Sequence, residues 1–345
     1  MADKKLRVGM VGVWGFGGAR RGLMRKTGLF EIAACYDINP TALEKACAEE
    51  GAAAVGSYDE LLKVPRLEGM VISTGADTHA DFSIRAMEAG LHVFVEKPLC
   101  CSVEEVRRLL EAQRRTGRVV GVGHNDNAGD AVIATARQYM EDGRIGTAAC
   151  YEENSSHSGG LEIGPGAWRG DLERNPGGML FQCGVHCLHR LVGLFGPIRD
   201  VSALFRYDAH PDTRTADTAS VLIRHESGMV GTLSNHHVTA YVHEFRLFGT
   251  KGNLYVDTTA RRGWYQQRKR GEVETRQEIP LAEPPARDTS NLENWYRPIR
   301  QGGQACPSLR DGIRAVLPVF AAVESDRTGR RINLKEFLGD LADLA

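Results

Sequence analysis

The chain has 345 residues, enough for two domains, and its 42% hydrophobic and 25% charged content suits ordinary globular cores and surfaces. Its formal net charge of -1 gives no global basic field for nucleic acid or an acidic membrane surface. No apolar run approaches the roughly 20 residues that span a bilayer, and the eight scattered cysteines fit reduced thiols in a cytoplasm better than a disulfide framework.

Leu6 to Val11 is a short apolar run ending in a glycine cluster, which predicts a buried parallel strand. A helix is expected from about Ala19 to Arg25, then a strand over Glu31 to Tyr36 that ends in Asp37. Asn39-Pro40 supplies an N-cap before proline at the first helical position. Ser57-Tyr-Asp-Glu60 and Ser102-Val-Glu-Glu105 have the spacing of capping boxes. Strands are predicted over Gly69–Thr74, His92–Val95 and Val119–Val122, and helices over Asp81–Ala89 and from Ser102 to about Thr116. Strand and helix alternate at βαβ spacing, so residues 1–123 predict a doubly wound parallel sheet, a Rossmann domain. In residues 124–345 a helix near Ala131–Glu141 precedes strand-like runs without helices between them: Ala148–Glu153, Val201–Phe205, Ala219–His225, Met229–Asn235, His243–Phe248 and Gly252–Asp257. They predict an open, mostly antiparallel sheet in a second α/β domain, followed by a proline-rich loop over 280–285 and a helix over Leu309–Glu324.

The turn after the first strand reads Gly12-Val-Trp14-Gly15-Phe16-Gly17-Gly18. Such a turn between strand and helix lets backbone N–H groups and the helix N-terminus meet a pyrophosphate. Its spacing is irregular: Gly12-x-x-Gly15-x-x-Gly18 carries one extra residue relative to G-x-G-x-x-G. Without that insertion Trp14 falls on the second glycine position, where a large side chain obstructs the phosphate, so the insertion is the preferred reading. Asp37 stands 19 residues after Gly18, where an acid accepts hydrogen bonds from the adenosine ribose and repels a 2′-phosphate. This favours NAD over NADP.

The segment Ala89-Gly-Leu-His-Val-Phe-Val-Glu96-Lys97-Pro98 resembles the signature of the Gfo/Idh/MocA oxidoreductases. The resemblance extends to Ile72-Ser73-Thr74-Gly-Ala-Asp-Thr-His79, to Trp168-Arg169 and to Gly177-Gly178-Met-Leu-Phe-Gln182-Cys-Gly184-Val-His186. It implies hydride transfer between NAD(P) and a carbohydrate, cyclitol or related polyol, and association as a homodimer or homotetramer through the outer face of the second sheet. It places Gly12, Trp14, Gly15, Phe16, Gly17, Asp37, Ser73, Thr74, His79, Glu96 and Lys97 at the cofactor. It also implies a cis Lys97-Pro98 bond, which only an X-Pro bond makes inexpensive.

Lys97 matches the family lysine that reaches the reacting hydroxyl, and His186 its acid/base partner, expected to face Lys97 from the second domain. Position 182 departs from the family: Gln182 stands where aspartate is usual. An uncharged side chain there orients by hydrogen bonds but does not stabilise an imidazolium at His186, so Lys97 becomes the main proton acceptor. Asn125, Glu153, Trp168 and Arg169, with Lys97, Gln182 and His186, are expected at the substrate. Two further readings stay open: a relative that cleaves glycosides through transient oxidation, and a non-catalytic ligand sensor.

Cys183, His186, Cys187 and His189 share helical spacing but lack a second ligand pair, so no metal is expected. His236, His237 and His243 fall in strand-like sequence and read as surface or cross-strand residues. The basic stretch Arg261–Arg270 is followed by Glu272, Glu274 and Glu278 and reads as a solvated hairpin, not a nucleic-acid site.

Overall fold

The computed structural model describes residues 4–124, 130–210, 212–271, 275–282 and 290–344. Two compact units form, one of Met1–Asp126 with Ala286–Gly312, the other of Asn127–Pro285 with Ile313–Ala345. In chain order the first unit contains β1 (Leu6–Val11), α1 (Phe16–Thr27), β2 (Phe30–Tyr36), α2 (Pro40–Glu50), β3 (Ala53–Ala54), α3 (Tyr58–Leu62), β4 (Gly69–Ile72), α4 (Ala76–Glu88), β5 (His92–Val95), α5 (Val103–Thr116) and β6 (Val120–Val122). All strand pairings are parallel, in the order β3-β2-β1-β4-β5-β6. The order reverses between β1 and β4, and ligands of doubly wound sheets bind at the carboxyl ends beside such a reversal.

Local chemistry sets the helix starts. Asn39 Oδ1 accepts from the Ala42 N–H at 3.1 Å. Both expected capping boxes form with a shifted return bond: Ser57 Oγ accepts from Glu60 N–H while Glu60 accepts from Gly56 N–H, one residue before the cap, and Ser102 Oγ accepts from Glu105 N–H while Glu105 accepts from Cys101 N–H. α4 begins at Ala76, five residues before the expected Asp81. Its first turn lacks an apolar stripe, and Thr78 Oγ1 stabilises it by donating to the Gly75 carbonyl at 2.9 Å.

The second unit continues with α6 (Ala131–Glu141), β7 (Ala148–Ser156), a single π-helical turn (Leu180–Gly184), α7 (Val185–Phe195), β8 (Ile198–Arg206), β9 (Thr218–His225), β10 (Val230–His236), β11 (Val242–Gly249), β12 (Gly252–Asp257), β13 (Arg262–Gln267) and β14 (Gln277–Ile279). Helix α8 (Ser290–Gln301) belongs to the first unit. It is followed by α9 (Leu309–Thr328), β15 (Ile332–Asn333) and α10 (Leu334–Leu338). The second sheet has nine strands in the order β14-β13-β12-β11-β7-β10-β9-β8-β15, antiparallel except for β7 beside β10.

Trp295 explains why α8 packs on the first unit. Its indole is fully buried, stacks on Phe30 at 5.8 Å and meets Phe94 at 5.6 Å. Glycine at 69 and 121 makes room for it: a Cβ at either position would lie 2.9–3.0 Å from the ring. Burying such a ring is worth several kcal/mol, about 3–5 by large-to-small substitution.

Candidate active site

The glycine turn packs by its backbone. Gly12 has φ +79°, and a Cβ there would sit 2.5 Å from the Ser73 carbonyl oxygen. A Cβ at Gly17 would overlap the Gly12 carbonyl oxygen, whereas one at Gly18 would rest 3.6 Å from Val13 O. Gly17, not Gly18, is therefore the close-packed third glycine. This corrects the preference for an inserted residue: the spacing is uninterrupted, with Trp14 at the second position. The correction has a physical basis. The Trp14 side chain is 66% exposed, directed to solvent instead of into the turn, and Gly15 beside it has φ +58° and open space where its Cβ would be. Phe16 is likewise exposed at the start of α1.

Asp37, at the end of β2, clamps this turn. One carboxylate oxygen accepts from the Val13 N–H at 2.7 Å, the other from the Asn39 N–H at 2.9 Å. Each oxygen keeps a further lone pair for a hydroxyl donor. Ser73 and Thr74 follow β4 and carry the backbone against which Gly12 rests. The N-terminus of α1 has no acidic residue in its first turn, so its positive end is not offset. Glycine contacts, a free helix end and a carboxylate after β2 together fit a dinucleotide.

The Lys97-Pro98 bond is cis. His79 is buried and lies between two carbonyls: Nδ1 is 2.7 Å from Pro98 O and Nε2 is 3.1 Å from Thr74 O. It ties the segment after β4 to the segment after β5 and lies beneath the surface a ligand could touch. Burial pushes its pKa down, opposed by the two carbonyls. Glu96 is 4% exposed and is held by Arg20 of α1, whose Nε donates to Oε1 at 2.7 Å. The Arg20 guanidinium also donates to Asn291 and lies 4.8 Å from the Phe94 ring centre. The sequence assigns Glu96 to the cofactor; the fold gives it a buried ion pair that was not expected. Arg20 had no signal except its place one turn into α1. Lys97 is half-buried.

In the second unit, Gly178 shapes the segment that carries Gln182 and His186. It has φ +58°, and a Cβ there would overlap the Ala216 carbonyl oxygen. The chain then makes the π turn Leu180–Gly184 and enters α7. Gln182 is buried within that turn, and His186 is half-buried in the first turn of α7. Single π turns within helices often occur at functional sites because they reset which side chains share a face.

A histidine-rich cluster adjoins this turn. His157, just past β7, accepts the Gly159 N–H on Nδ1 at 2.9 Å, and its Nε2 lies 3.6 Å from Cys183 Sγ. The His157 ring centre lies 5.4 Å from that of His237 and 6.0 Å from that of Tyr241. His237 is 3% exposed, which corrects the surface reading. The 159–162 turn covers it, with Gly160 donating to its carbonyl at 2.9 Å. Burial, aided by His157 and Arg169, pushes the His237 pKa down to about 4. His243 is cross-strand, as expected, with Nε2 3.2 Å from Ser155 Oγ of β7. Trp168 and Arg169 occupy a 3-10 turn, the guanidinium 4.5 Å over the indole. Glu153 is buried against Arg190, which also donates to Asp130 at 3.0 Å. Asn125 lies outside the described residues. No group of three metal-ligating side chains is present among the described residues.

Comparison with known proteins defines the class first. Residues 6–124 match the oxidoreductase family with an NAD-binding Rossmann fold. Residues 133–255 match the GFO/IDH/MocA C-terminal domain. The protein is an NAD-binding oxidoreductase, and the chain belongs to the Gfo/Idh/MocA family. It is 29% identical over 205 residues to scyllo-inositol 2-dehydrogenase (NAD(+)) of Bacillus subtilis, a match spanning 58% of each protein. It is 25% identical over 345 residues to inositol 2-dehydrogenase of Rhizobium meliloti, covering 95% of this chain and 99% of that one. Among solved structures, a levoglucosan dehydrogenase complex with NADH superposes with a TM-score of 0.84 at 20% identity, covering 96% of this chain and 99% of that one. The WlbA dehydrogenase of Bordetella pertussis, in complex with NADH and UDP-GlcNAcA, gives 0.82 at 23% identity, with the same coverage.

Proposed function

We propose that the protein is a dehydrogenase that oxidises a secondary hydroxyl of a sugar, cyclitol or related polyol with NAD. The observation that carries this reading is Lys97, set by β5 at the carboxyl edge of a parallel sheet, one residue after Glu96, whose carboxylate pairs with Arg20 of the helix that follows the glycine turn. The names of the inositol dehydrogenase relatives supply the substrate class. Bound NAD provides the hydride acceptor. Gly12, Gly15 and Gly17 let the chain lie close to the pyrophosphate, with the N-terminus of α1 opposing its charge. Asp37 accepts from the adenosine ribose and disfavours a 2′-phosphate, so NAD is preferred over NADP. His79 positions the segments after β4 and β5, and the Arg20–Glu96 pair fixes the segment that carries Lys97. Lys97 takes the hydroxyl proton; His186 and Gln182 hydrogen-bond the substrate hydroxyls.

The first unit holds the dinucleotide, and the second supplies substrate contacts and an oligomer interface. Leu204, Leu222 and Val230 lie on one outer face of the second sheet at 76%, 60% and 40% exposure, which supports a homodimer or homotetramer. No described helix is long and apolar enough to cross a membrane, and a cytoplasmic location is part of the proposal.

The test is turnover of a polyol, sugar-acid and glycoside panel with NAD and NADP in parallel. Stoichiometric NADH with an oxidised sugar is expected. A preference for NADP would remove the role of Asp37, and release of an aglycone without net NADH would replace the dehydrogenase by a glycoside-cleaving enzyme.

A further inference from the structure

We infer that the substrate carries a carboxylate, bound by Arg169 over Trp168 with His157 and His237 beside it, so that the substrate class is a sugar acid such as an aldonate or a uronate. This rests on the dehydrogenase reading and narrows it. The starting point is a charge without a counter-charge. The Arg169 guanidinium packs over an indole and still reaches solvent, yet no carboxylate among the described residues pairs with it. Neighbouring arginines of this unit are paired: Arg190 with Glu153 and Asp130, and Arg214 with Asp171. Packing against its neighbours lowers the Arg169 pKa, opposed among the described residues by the Cys183 thiol. The exposed guanidinium, held in place over the indole, can take an arriving carboxylate through two parallel N–H···O bonds.

The surrounding groups fix the charge of the ligand. His157 accepts the Gly159 N–H on Nδ1. His237 stays neutral at physiological pH because burial holds it down to about 4. Position 182, adjoining Cys183, is glutamine. The Arg169 guanidinium is the permanent charge of this group, and a carboxylate monoanion balances it. A phosphate dianion would leave a negative charge over, and a neutral polyol would leave the guanidinium unpaired. The imidazoles, an indole face and Gln182 add hydrogen-bonding and stacking groups suited to a hydroxylated ring.

The experiment measures kcat/KM with NAD for hexuronates and aldonates, each against its methyl ester or neutral sugar, in wild-type enzyme, Arg169→Gln and Arg169→Lys. The readout is the ratio of acid to neutral turnover. Wild type should favour the acid by roughly 10- to 100-fold, the scale of one charge-assisted contact. Arg169→Gln should collapse that ratio toward one, and Arg169→Lys should restore part of it. Uronate methyl esters turned over as well as the acids, or an acid preference that survives Arg169→Gln, would overturn the inference while leaving the dehydrogenase intact. No turnover of any acid, ester or neutral sugar with NAD, nor with NADP as a control, would sink the dehydrogenase reading, and this inference with it.

Discussion

The two units place their functional groups by different means. At the carboxyl edge of the first sheet the decisive contacts are backbone ones: Gly12 against Ser73, Gly17 against Gly12, Asp37 holding the Val13 N–H, and His79 spanning two carbonyls. One buried ion pair, Arg20 with Glu96, is added to that scaffold. In the second unit, side chains from separate segments meet: His157 after β7, His237 after β10, Cys183 in a π turn and Arg169 in a 3-10 turn. A backbone cradle recognises a constant feature such as a pyrophosphate. A cluster of side chains is free to vary with the substrate.

The sharpest break of this comparison is expected at the ion pair. Glu96→Ala should leave a buried guanidinium without its charge partner and destabilise the protein by about 3–5 kcal/mol, whereas Arg20→Met with Glu96→Leu should recover most of that. Urea unfolding of Glu96→Ala, of Arg20→Met and Glu96→Leu singly and of that double variant checks this, and additive losses of the two singles in the double would remove the pair from the account. Lys97→Ala should lower kcat about a hundred- to a thousandfold while NADH affinity, measured by fluorescence titration, changes little. An unaltered kcat would reassign the proton acceptor and revive the sensor reading.

The third prediction concerns the second unit. The unfolded His237 imidazole binds a proton near pH 6.5 and the folded ring only at about 4. Its contribution is complete above pH 6.5 and is lost as pH falls toward 4, by roughly 3 kcal/mol. The pH dependence of unfolding should flatten across that window in His237→Gln; an unchanged slope would refute the assignment. The smallest effects separate the two adjacent glycines. Gly17→Ala should cost about 1–3 kcal/mol and weaken NADH binding, whereas Gly18→Ala, within the helix and with ordinary spacing, should be close to neutral. Equal losses would restore the inserted-residue reading.

The first unit was largely legible in the sequence. Alternation of apolar runs with capped helices specified a parallel sheet, though not its strand order or the short β3, and Ser57, Ser102 and Asn39 marked helix starts because capping is settled within four residues. The glycine turn was legible as a turn but not in its register, since Gly17 and Gly18 differ only in what each packs against. In the second unit the strands were visible as period-two patterns, yet strand order was not. Nor was the π turn, because its spacing leaves no sequence period.

By itself, then, the sequence determined the class of each unit, the Glu96-Lys97-Pro98 segment and the carboxylate at Asp37, all features carried by local patterns. Only the tertiary structure decided that Trp14 points to solvent, that Arg20 neutralises Glu96, that α8 returns to the first unit through Trp295, and that Arg169 has no carboxylate partner among the described residues. Each of these joins residues far apart along the chain or depends on what surrounds a side chain. Burial and charge pairing are properties of neighbours in space, which no short stretch of sequence encodes.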